Sequence, residues 1–112
     1  MKCSVKRTGE ILAERVEVAA TFWARLKGLM FRGSLPQGNA LLLDPCPQIH
    51  TCFMRFSIDA VFLDKKDCVV AVIENLKPWR MSSFYIASHR TLELPNATLR
   101  GRVKVGDQLT FN

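Results

Sequence analysis

The sequence predicts a β-rich α+β domain with one main amphipathic helix. Several short segments alternate apolar and polar residues with the two-residue period of a β-strand. Only the segment from Thr21 to Gly33 spaces its apolar residues by three and four, which is the period of a helix. The 112 residues contain no internal repeat, linker or low-complexity segment, so we expect a single domain over residues 1–112.

The chain begins with a predicted hairpin followed by the helix. The hairpin strands are Cys3–Arg7 and Ile11–Val18, with a glycine in the turn between them. In the helix, Phe22, Leu26 and Leu29 follow an i, i+4, i+7 spacing and form an apolar stripe. Trp23 and Met30 extend the same stripe, Arg25 and Lys27 are expected to turn outward, and the preceding threonine is a suitable N-cap.

Five further strand-like segments follow the helix. They are Ala40–Asp44, His50–Asp59, Cys68–Leu76, His89–Leu94 and Val103–Phe111, the last with a turn at its centre. The third of these is apolar on both faces, which predicts a central strand. The irregular stretch from 77 to 85 is predicted to be a long surface loop.

Composition narrows the class of protein. Apolar residues make up 48% and charged residues 23% of the chain, which is typical of a globular domain and not of a disordered one. No apolar run approaches the roughly 18 residues that span a bilayer, and the N-terminus lacks the apolar block of a secretory signal. We therefore expect a cytoplasmic protein. Its four cysteines form no CxxC pair and are expected to be free thiols.

Four motifs resemble one prokaryotic family. The stretches "RLKGLMFR", "MRFSIDAVFLD", "LELP" and "VGDQL" occur in the order and at the spacing seen in the domain of unknown function 192. The resemblance covers the chain from about Ala13 to its end. It implies a small α+β domain with a barrel-like sheet, and it leaves the activity open. The chain departs from the family at Ser57, where proline is common, and at "PNAT", which replaces a proline-alanine-glycine turn.

The stretch His50–Asp59 is the first place to seek a site. If it is a continuous strand, His50, Cys52 and Met54 share one face, and Arg55 and Asp59 share the other. The first face is the more apolar, so a core role is the favoured interpretation of its histidine and cysteine. Arg55 and Asp59 lie about 13 Å apart on a straight strand, so each needs another partner. An aspartate here is expected either to accept backbone N–H bonds or to line a cleft.

Two kinds of cysteine chemistry are less favoured alternatives. Cys46, His50 and Cys52 could supply three zinc ligands, but no fourth ligand stands at a usual spacing. The thiol of Cys52 could be activated as a nucleophile by His50 or His89. Residues two apart on a strand are about 6.5 Å apart at Cα, so that activation requires the side chains to lean together. We assign no catalytic residue, and we expect no metal ion and no cofactor.

A basic segment near the C-terminus favours anionic partners. Between Lys77 and Lys104 there are six basic residues and a single acidic one, Glu93. Trp79 stands beside Arg80 in this segment, an arrangement that also occurs where proteins bind single-stranded nucleic acid. No nucleic-acid-binding motif accompanies it, so nucleic acid is the less favoured partner.

These observations favour a non-enzymatic binding or accessory domain. Its cleft would lie beside the strand His50–Asp59, with "GLMFR" and "PWRM" as rims, and would accept a small anionic ligand or an acidic protein. The alternatives are a small enzyme that uses His50, Cys52 or Asp59, and a nucleic-acid-binding module that uses residues 77–104. The residues expected to bind a ligand are His50, Arg55, Asp59, Met30, Trp79 and Arg80.

Overall fold

A five-stranded sheet forms the middle layer of the protein. The structure is a computed structural model that describes residues 1–112. Its elements are β1 (Cys3–Val5), β2 (Ile11–Ala13), β3 (Arg15–Ala19), α1 (Phe22–Lys27), β4 (Asn39–Leu43), β5 (Ile58–Leu63), β6 (Val69–Leu76), β7 (Arg90–Pro95) and β8 (Leu109–Phe111). The middle sheet has the order β3-β4-β7-β5-β6, and a small second sheet has the order β2-β1-β8.

The small sheet covers one face of the middle sheet. Side chains of β1, β2 and β8 pack with alternate residues of the middle strands, including Leu42, Val61, Leu92 and Leu94, in one buried cluster. The fold is therefore α+β with mostly strands and one short helix, as predicted. The two sheets pack as layers and do not close into the barrel that the family resemblance implied.

Loops and the end of α1 cover the other face. Leu29, Ile49 and Met54 pack there against Leu41 and Phe62 of the middle sheet. Because both faces are covered, β7 in the middle of the sheet is almost entirely buried, although its sequence alternates as in a half-exposed strand. The prediction that residues 68–76 form a central strand is wrong, since β6 lies at the edge of the sheet.

Helix α1 starts where the sequence predicts but presents its apolar side chains differently. The Thr21 hydroxyl accepts a hydrogen bond from the Ala24 N–H at 3.1 Å, as an N-cap does. None of the six helical residues is buried. Phe22 and Leu26 are exposed by 62% and 46%, so the expectation that this stripe packs on the core is wrong. Only Leu29, beyond the helix end, reaches the core.

The long predicted strand His50–Asp59 is mostly irregular. Only its last two residues are in a strand, since β5 begins at Ile58, whereas His50 makes an isolated bridge to Met81. Phe53 has a φ of 62°, which a strand cannot contain. The face assignment made from strand parity therefore does not apply to residues 50–56. The hairpin is confirmed for β1 and β2, but its second strand breaks after Ala13 and continues as β3 in the other sheet.

No helix in the structure is long and apolar enough to cross a membrane.

Candidate functional site

Two adjoining spaces lie between α1, the loop after β4, and β7. The inner space, the Glu93 cavity, has a volume of about 40 Å³ and contains Glu93 among its lining residues. The outer space, the α1 cleft, has a volume of about 220 Å³ and is lined by Phe22, Arg25, Leu26, Pro45, Cys46, Pro47, Gln48 and His50. Five of these residues line both spaces, which places the cavity at the base of the cleft.

The middle of the sheet positions Glu93. On β7 it lies opposite Leu41 of β4 on one side and Ala60 of β5 on the other, so its side chain shares their apolar face. Glu93 is 2% exposed. The chain after α1 can approach it because Gly28 has a φ of 48°, a conformation that favours glycine. A Cβ atom on Gly28 would lie 3.5 Å from Glu93 Oε1.

Burial keeps the Glu93 carboxyl group protonated at neutral pH. Loss of water around it raises the pKa of Glu93 from 4.5 to about 8, and the charge of Arg32 opposes that rise only in part. Glu93 Oε1 is buried and has no hydrogen-bond partner. The side chain is therefore a neutral acid with an unused polar atom facing a small cavity.

Arg25 provides the second unused polar atom. Its Nη1 donates a hydrogen bond to the Pro45 carbonyl at 3.1 Å, which fixes the guanidinium between α1 and the loop after β4. Its Nε–H is buried and has no acceptor. Arg25 Nε and Glu93 Oε1 are the two buried side-chain polar atoms that lack a partner, and both residues line the Glu93 cavity.

His50 closes the wall of both spaces. Its Nδ1 accepts a hydrogen bond from the Cys52 N–H at 3.2 Å. With Nδ1 as the acceptor, Nε2 carries the proton and donates it to the Leu26 carbonyl at 3.2 Å. Both ring nitrogens are thus engaged with the backbone, and the imidazole joins the 50–52 loop to the end of α1. His50 lies in the predicted cleft as a wall residue with no free nitrogen.

The cysteines are not arranged for the alternative chemistries. The Cys46 thiol donates to the Gln48 carbonyl at 2.9 Å, and burial raises the pKa of Cys46, which disfavours a reactive thiolate. No hydrogen bond joins the thiol of Cys52 to His50, and His89 lies beside Asp44 instead. The structure brings no three His, Cys, Asp or Glu side chains together in a group that could hold a metal ion. All four cysteines are free.

Asp59 has a structural role. It is 1% exposed, and its two carboxylate oxygens accept hydrogen bonds from the Asn75 N–H at 3.0 Å and the Leu99 N–H at 2.9 Å. Of the two interpretations offered by the sequence, the structure shows the acceptor of backbone N–H bonds. Arg55 is exposed on the irregular loop, makes no ion pair with Asp59 and lies outside both spaces. We therefore include neither residue in the cleft.

The other predicted contacts divide between two places. Met30 lines the Glu93 cavity. Trp79 is 59% exposed and stacks against Phe53 with ring centroids 4.7 Å apart. Arg80 is exposed beside it, with its guanidinium 3.5 Å from the Trp79 carbonyl. The predicted rims do meet, but Trp79 and Arg80 form a separate surface outside the cleft.

Thr51 joins the loops that carry these residues. Its backbone N–H donates to the Arg80 carbonyl at 2.8 Å, and its carbonyl accepts from the Trp79 N–H at 3.0 Å. Its hydroxyl donates to the Lys77 carbonyl at 2.6 Å and accepts from the Arg80 N–H at 2.8 Å. Thr51 is fully buried, so four hydrogen bonds from one residue fix the 77–80 loop against the 50–54 loop.

Two of the six basic residues between Lys77 and Lys104 are paired with acidic side chains. Arg90 pairs with Asp44 and Asp67, and Arg102 pairs with Glu10 at 2.9 Å. These charges are neutralised within the protein, so the nucleic-acid alternative gains no support from the fold.

Of the six residues predicted as ligand contacts, His50 lines both spaces and Met30 lines the Glu93 cavity, whereas the two polar residues at its base were not predicted. The helical stripe predicts that Arg25 faces solvent, and Glu93 enters the prediction only as the single acid of the basic segment. One signal for Glu93 was available, because it is the sole acid in a long basic stretch and lies inside the "LELP" motif. Its burial depends on the layers above and below β7, which local periodicity does not report.

Sequence comparisons match the chain to an uncharacterised family. The sequence profile of the DUF192 family, described as "Uncharacterized ACR", matches residues 3–111. A UPF0127 protein of Pyrococcus furiosus is 33% identical over 113 residues, which covers 93% of this chain and 92% of that protein. A UPF0127 protein of Thermococcus sibiricus is 36% identical over 88 residues, which covers 72% of this chain and 53% of that protein. The chain thus spans about half of the second relative.

Two solved structures have similar folds. One is a protein of unknown function from Novosphingobium aromaticivorans, with a TM-score of 0.86, 21% identity, and coverage of 99% of this chain and 84% of that chain. The other comes from Sinorhizobium meliloti, with a TM-score of 0.82, 22% identity, and coverage of 97% and 89%. At these identities the likeness concerns the fold alone.

Proposed function

This chain belongs to the DUF192 family, and we propose that it is a binding domain whose ligand is a small apolar carboxylate held in the α1 cleft. The carboxylate head group would enter the Glu93 cavity, and the apolar body would occupy the cleft above it. A ligand of this kind is a specific form of the small anionic ligand that the sequence favours.

One observation carries the proposal. The two buried polar side-chain atoms without partners, Arg25 Nε and Glu93 Oε1, belong to residues that line the same cavity. A buried donor or acceptor without a partner costs roughly 1–3 kcal/mol, so such atoms are rare in native proteins. Two of them at one cavity indicate that a polar group from a ligand completes the site.

The chemistry of the two atoms favours an anion. The Arg25 Nε–H is a donor, and Glu93 is protonated below about pH 8 and can donate its own O–H. Two donors beside one cavity suit an acceptor oxygen, and the positive charge of the guanidinium favours a carboxylate. The neutral state of Glu93 is essential, because an ionised carboxylate there would repel the ligand.

The two volumes limit the size of the ligand. The Glu93 cavity, at about 40 Å³, accepts a head group of a few atoms. The α1 cleft adds about 220 Å³, with Phe22, Leu26, Pro45 and Pro47 as apolar walls. The combined space is smaller than the roughly 300–1,000 Å³ of sites for drug-sized molecules. A short aliphatic or single-ring carboxylate fits these limits.

The test uses benzoate and hexanoate as probes, with benzyl alcohol and benzylamine as neutral and cationic controls. We expect the two carboxylates to shift the backbone amide resonances of residues 25–30, 46, 48–50 and 93 at pH 6, with saturation, and the controls to have no such effect. Arg25→Met should weaken binding at least tenfold. Arg55→Met, which removes an exposed arginine outside the cleft, should leave it unchanged.

The pH dependence provides a second readout. Carboxylate binding to the unmodified protein should weaken as the pH rises through about 8, the pKa of Glu93. Glu93→Gln keeps a neutral hydrogen-bond donor and should retain binding without this loss. The proposal is wrong if neither carboxylate binds at millimolar concentration, or if Arg25→Met and Arg55→Met bind the probes equally well.

A further inference from the structure

Three exposed aromatic side chains from three separate segments contact one another at the surface. Phe31, Phe53 and Trp79 are 59%, 48% and 59% exposed. The ring centroids of Phe31 and Phe53 lie 5.4 Å apart, and those of Phe53 and Trp79 lie 4.7 Å apart. We call these three residues the aromatic triad. Exposed aromatic side chains that cluster in this way mark interaction surfaces more often than solitary ones do.

All three residues have an unfavourable backbone conformation. Phe31, Phe53 and Trp79 have φ values of 64°, 62° and 63°, in the left-handed region that bulky residues rarely adopt. Each such residue costs about 1–3 kcal/mol and persists only where its surroundings impose it. Here the Phe31 N–H donates to the Phe53 carbonyl, and the Trp79 N–H donates to the Thr51 carbonyl, both at 3.0 Å. The triad is thus presented in a fixed arrangement.

All charged residues in the segments that carry the triad are basic. Residues 27–32, 50–56 and 77–81 contain no Asp or Glu and five basic residues, Lys27, Arg32, Arg55, Lys77 and Arg80. Among these five, only Arg32 makes an ion pair, with Glu17 on β3. The other basic side chains make no ion pair within the protein. Unpaired positive charge near exposed apolar rings favours a binding partner that is negatively charged.

The shape of the surface favours a macromolecule. None of the five cavities in the structure is lined by a residue of the triad. Small molecules bind in concave sites, whereas protein interfaces use exposed aromatic, methionine and arginine side chains. The adjacent Met81, 69% exposed, adds to this composition.

We infer that the aromatic triad is the interface for an acidic segment of a partner protein that carries apolar side chains among its carboxylates. The apolar side chains would pack on the triad, and the carboxylates would pair with Arg55, Lys77 and Arg80 at its margins. The rings contact one another with interplanar angles of 38° and 59°, so they do not form the series of parallel ring faces on which successive bases would stack. A lipid surface would not require the fixed backbone that the triad has. The inference is independent of the cleft.

Tryptophan fluorescence offers a direct test. The chain has two tryptophans, so Trp23→Phe leaves Trp79 as the only one. We expect a ten-residue peptide of alternating Glu and Leu to shift Trp79 emission to the blue with saturation, and added salt to weaken the effect. The peptides with Lys in place of Glu, and with Ser in place of Leu, should not bind.

Charge-reversal variants test whether the peptide binds at the triad or elsewhere on the surface. In the Trp23→Phe background, Arg55→Glu with Arg80→Glu should weaken binding of the Glu-Leu peptide at least tenfold. Lys65→Glu, which reverses an exposed charge in the β5–β6 turn, should have little effect. Thermal unfolding of each variant checks that the fold is retained.

Three results would overturn the inference. The first is no binding of the Glu-Leu peptide at millimolar concentration. The second is equal binding of the lysine or serine peptide. The third is binding of phosphatidylglycerol vesicles or a 15-nucleotide oligothymidine that exceeds binding of the acidic peptide, since either would assign the surface to a different partner.

Discussion

Replacing Glu93 by glutamine should remove a pH dependence of stability that the buried carboxyl group creates. In the folded protein the pKa of Glu93 is about 8, against 4.5 for an ordinary glutamate. The folded state therefore holds the proton more tightly than the unfolded state. Stability from this group is complete below the unfolded pKa of 4.5 and is lost as the pH rises through the folded pKa.

The size of the effect follows from the two pKa values. Each pH unit between them changes the free energy of unfolding by about 1.4 kcal/mol. From pH 4.5 to pH 7 the loss is thus about 3 kcal/mol, a large fraction of the 5–15 kcal/mol that stabilises a typical domain. Glutamine fills nearly the same volume and cannot ionise, so the variant escapes this loss.

Urea unfolding of both proteins from pH 5 to pH 9 measures the difference. Other titrating groups act equally in the two proteins and cancel when their free energies of unfolding are subtracted. We expect the glutamine variant to gain about 1.4 kcal/mol relative to the parent for each pH unit between 5 and 7.5. Parallel curves over that range would show that Glu93 is ionised normally in the folded protein and that the cavity does not hold a neutral carboxyl group.

Three further substitutions test other parts of the structure. Asp59→Ala removes the acceptor of the buried Leu99 N–H and of the partly buried Asn75 N–H, and it should lower the free energy of unfolding by about 2–4 kcal/mol in urea titrations. A change below about 1 kcal/mol would contradict the structural role. Gly28→Ala places a Cβ atom beside Glu93 on a residue with a left-handed backbone conformation. It should lower the free energy of unfolding by about 1–3 kcal/mol, measured by thermal unfolding. Unchanged stability would show that the backbone at residue 28 can relax. The Arg7 guanidinium lowers the pKa of Asp107 to about 2, so the NMR signal of the Asp107 carboxyl carbon should titrate near pH 2. In Arg7→Gln the pKa of Asp107 should rise toward 3.8. An unchanged pKa in that variant would show that Arg7 does not pair with Asp107.

The sequence predicted the fold best where local chemistry decides the structure. The N-cap at Thr21 and the strand at 90–95 follow from side-chain hydrogen bonding and from the two-residue period. It failed at 50–56, where apolar residues suggest a strand. There the buried hydroxyl and backbone of Thr51 bind a loop more than 25 residues away, and this distant contact outweighs strand propensity.

The sequence also predicts which segments meet. It places "GLMFR" and "PWRM" beside the segment that begins at His50, and contacts among Phe31, Phe53 and Trp79 join these three segments. The exposure of individual side chains was predicted less well. An apolar residue at helical spacing is normally buried, but Phe22 is exposed. A glutamate on an alternating strand normally faces water, but Glu93 is buried. Such reversals are expected at functional sites, where local preference and global fold disagree.

The four hydrogen bonds of Thr51 also affect how the surface moves. A loop without secondary structure usually exchanges its amide protons quickly, because it opens independently of the rest of the protein. Here the amides of Thr51, Trp79 and Arg80 all donate hydrogen bonds within the network around Thr51. We therefore expect these three amides to exchange slowly and at similar rates, and the aromatic rings on the two loops to move together.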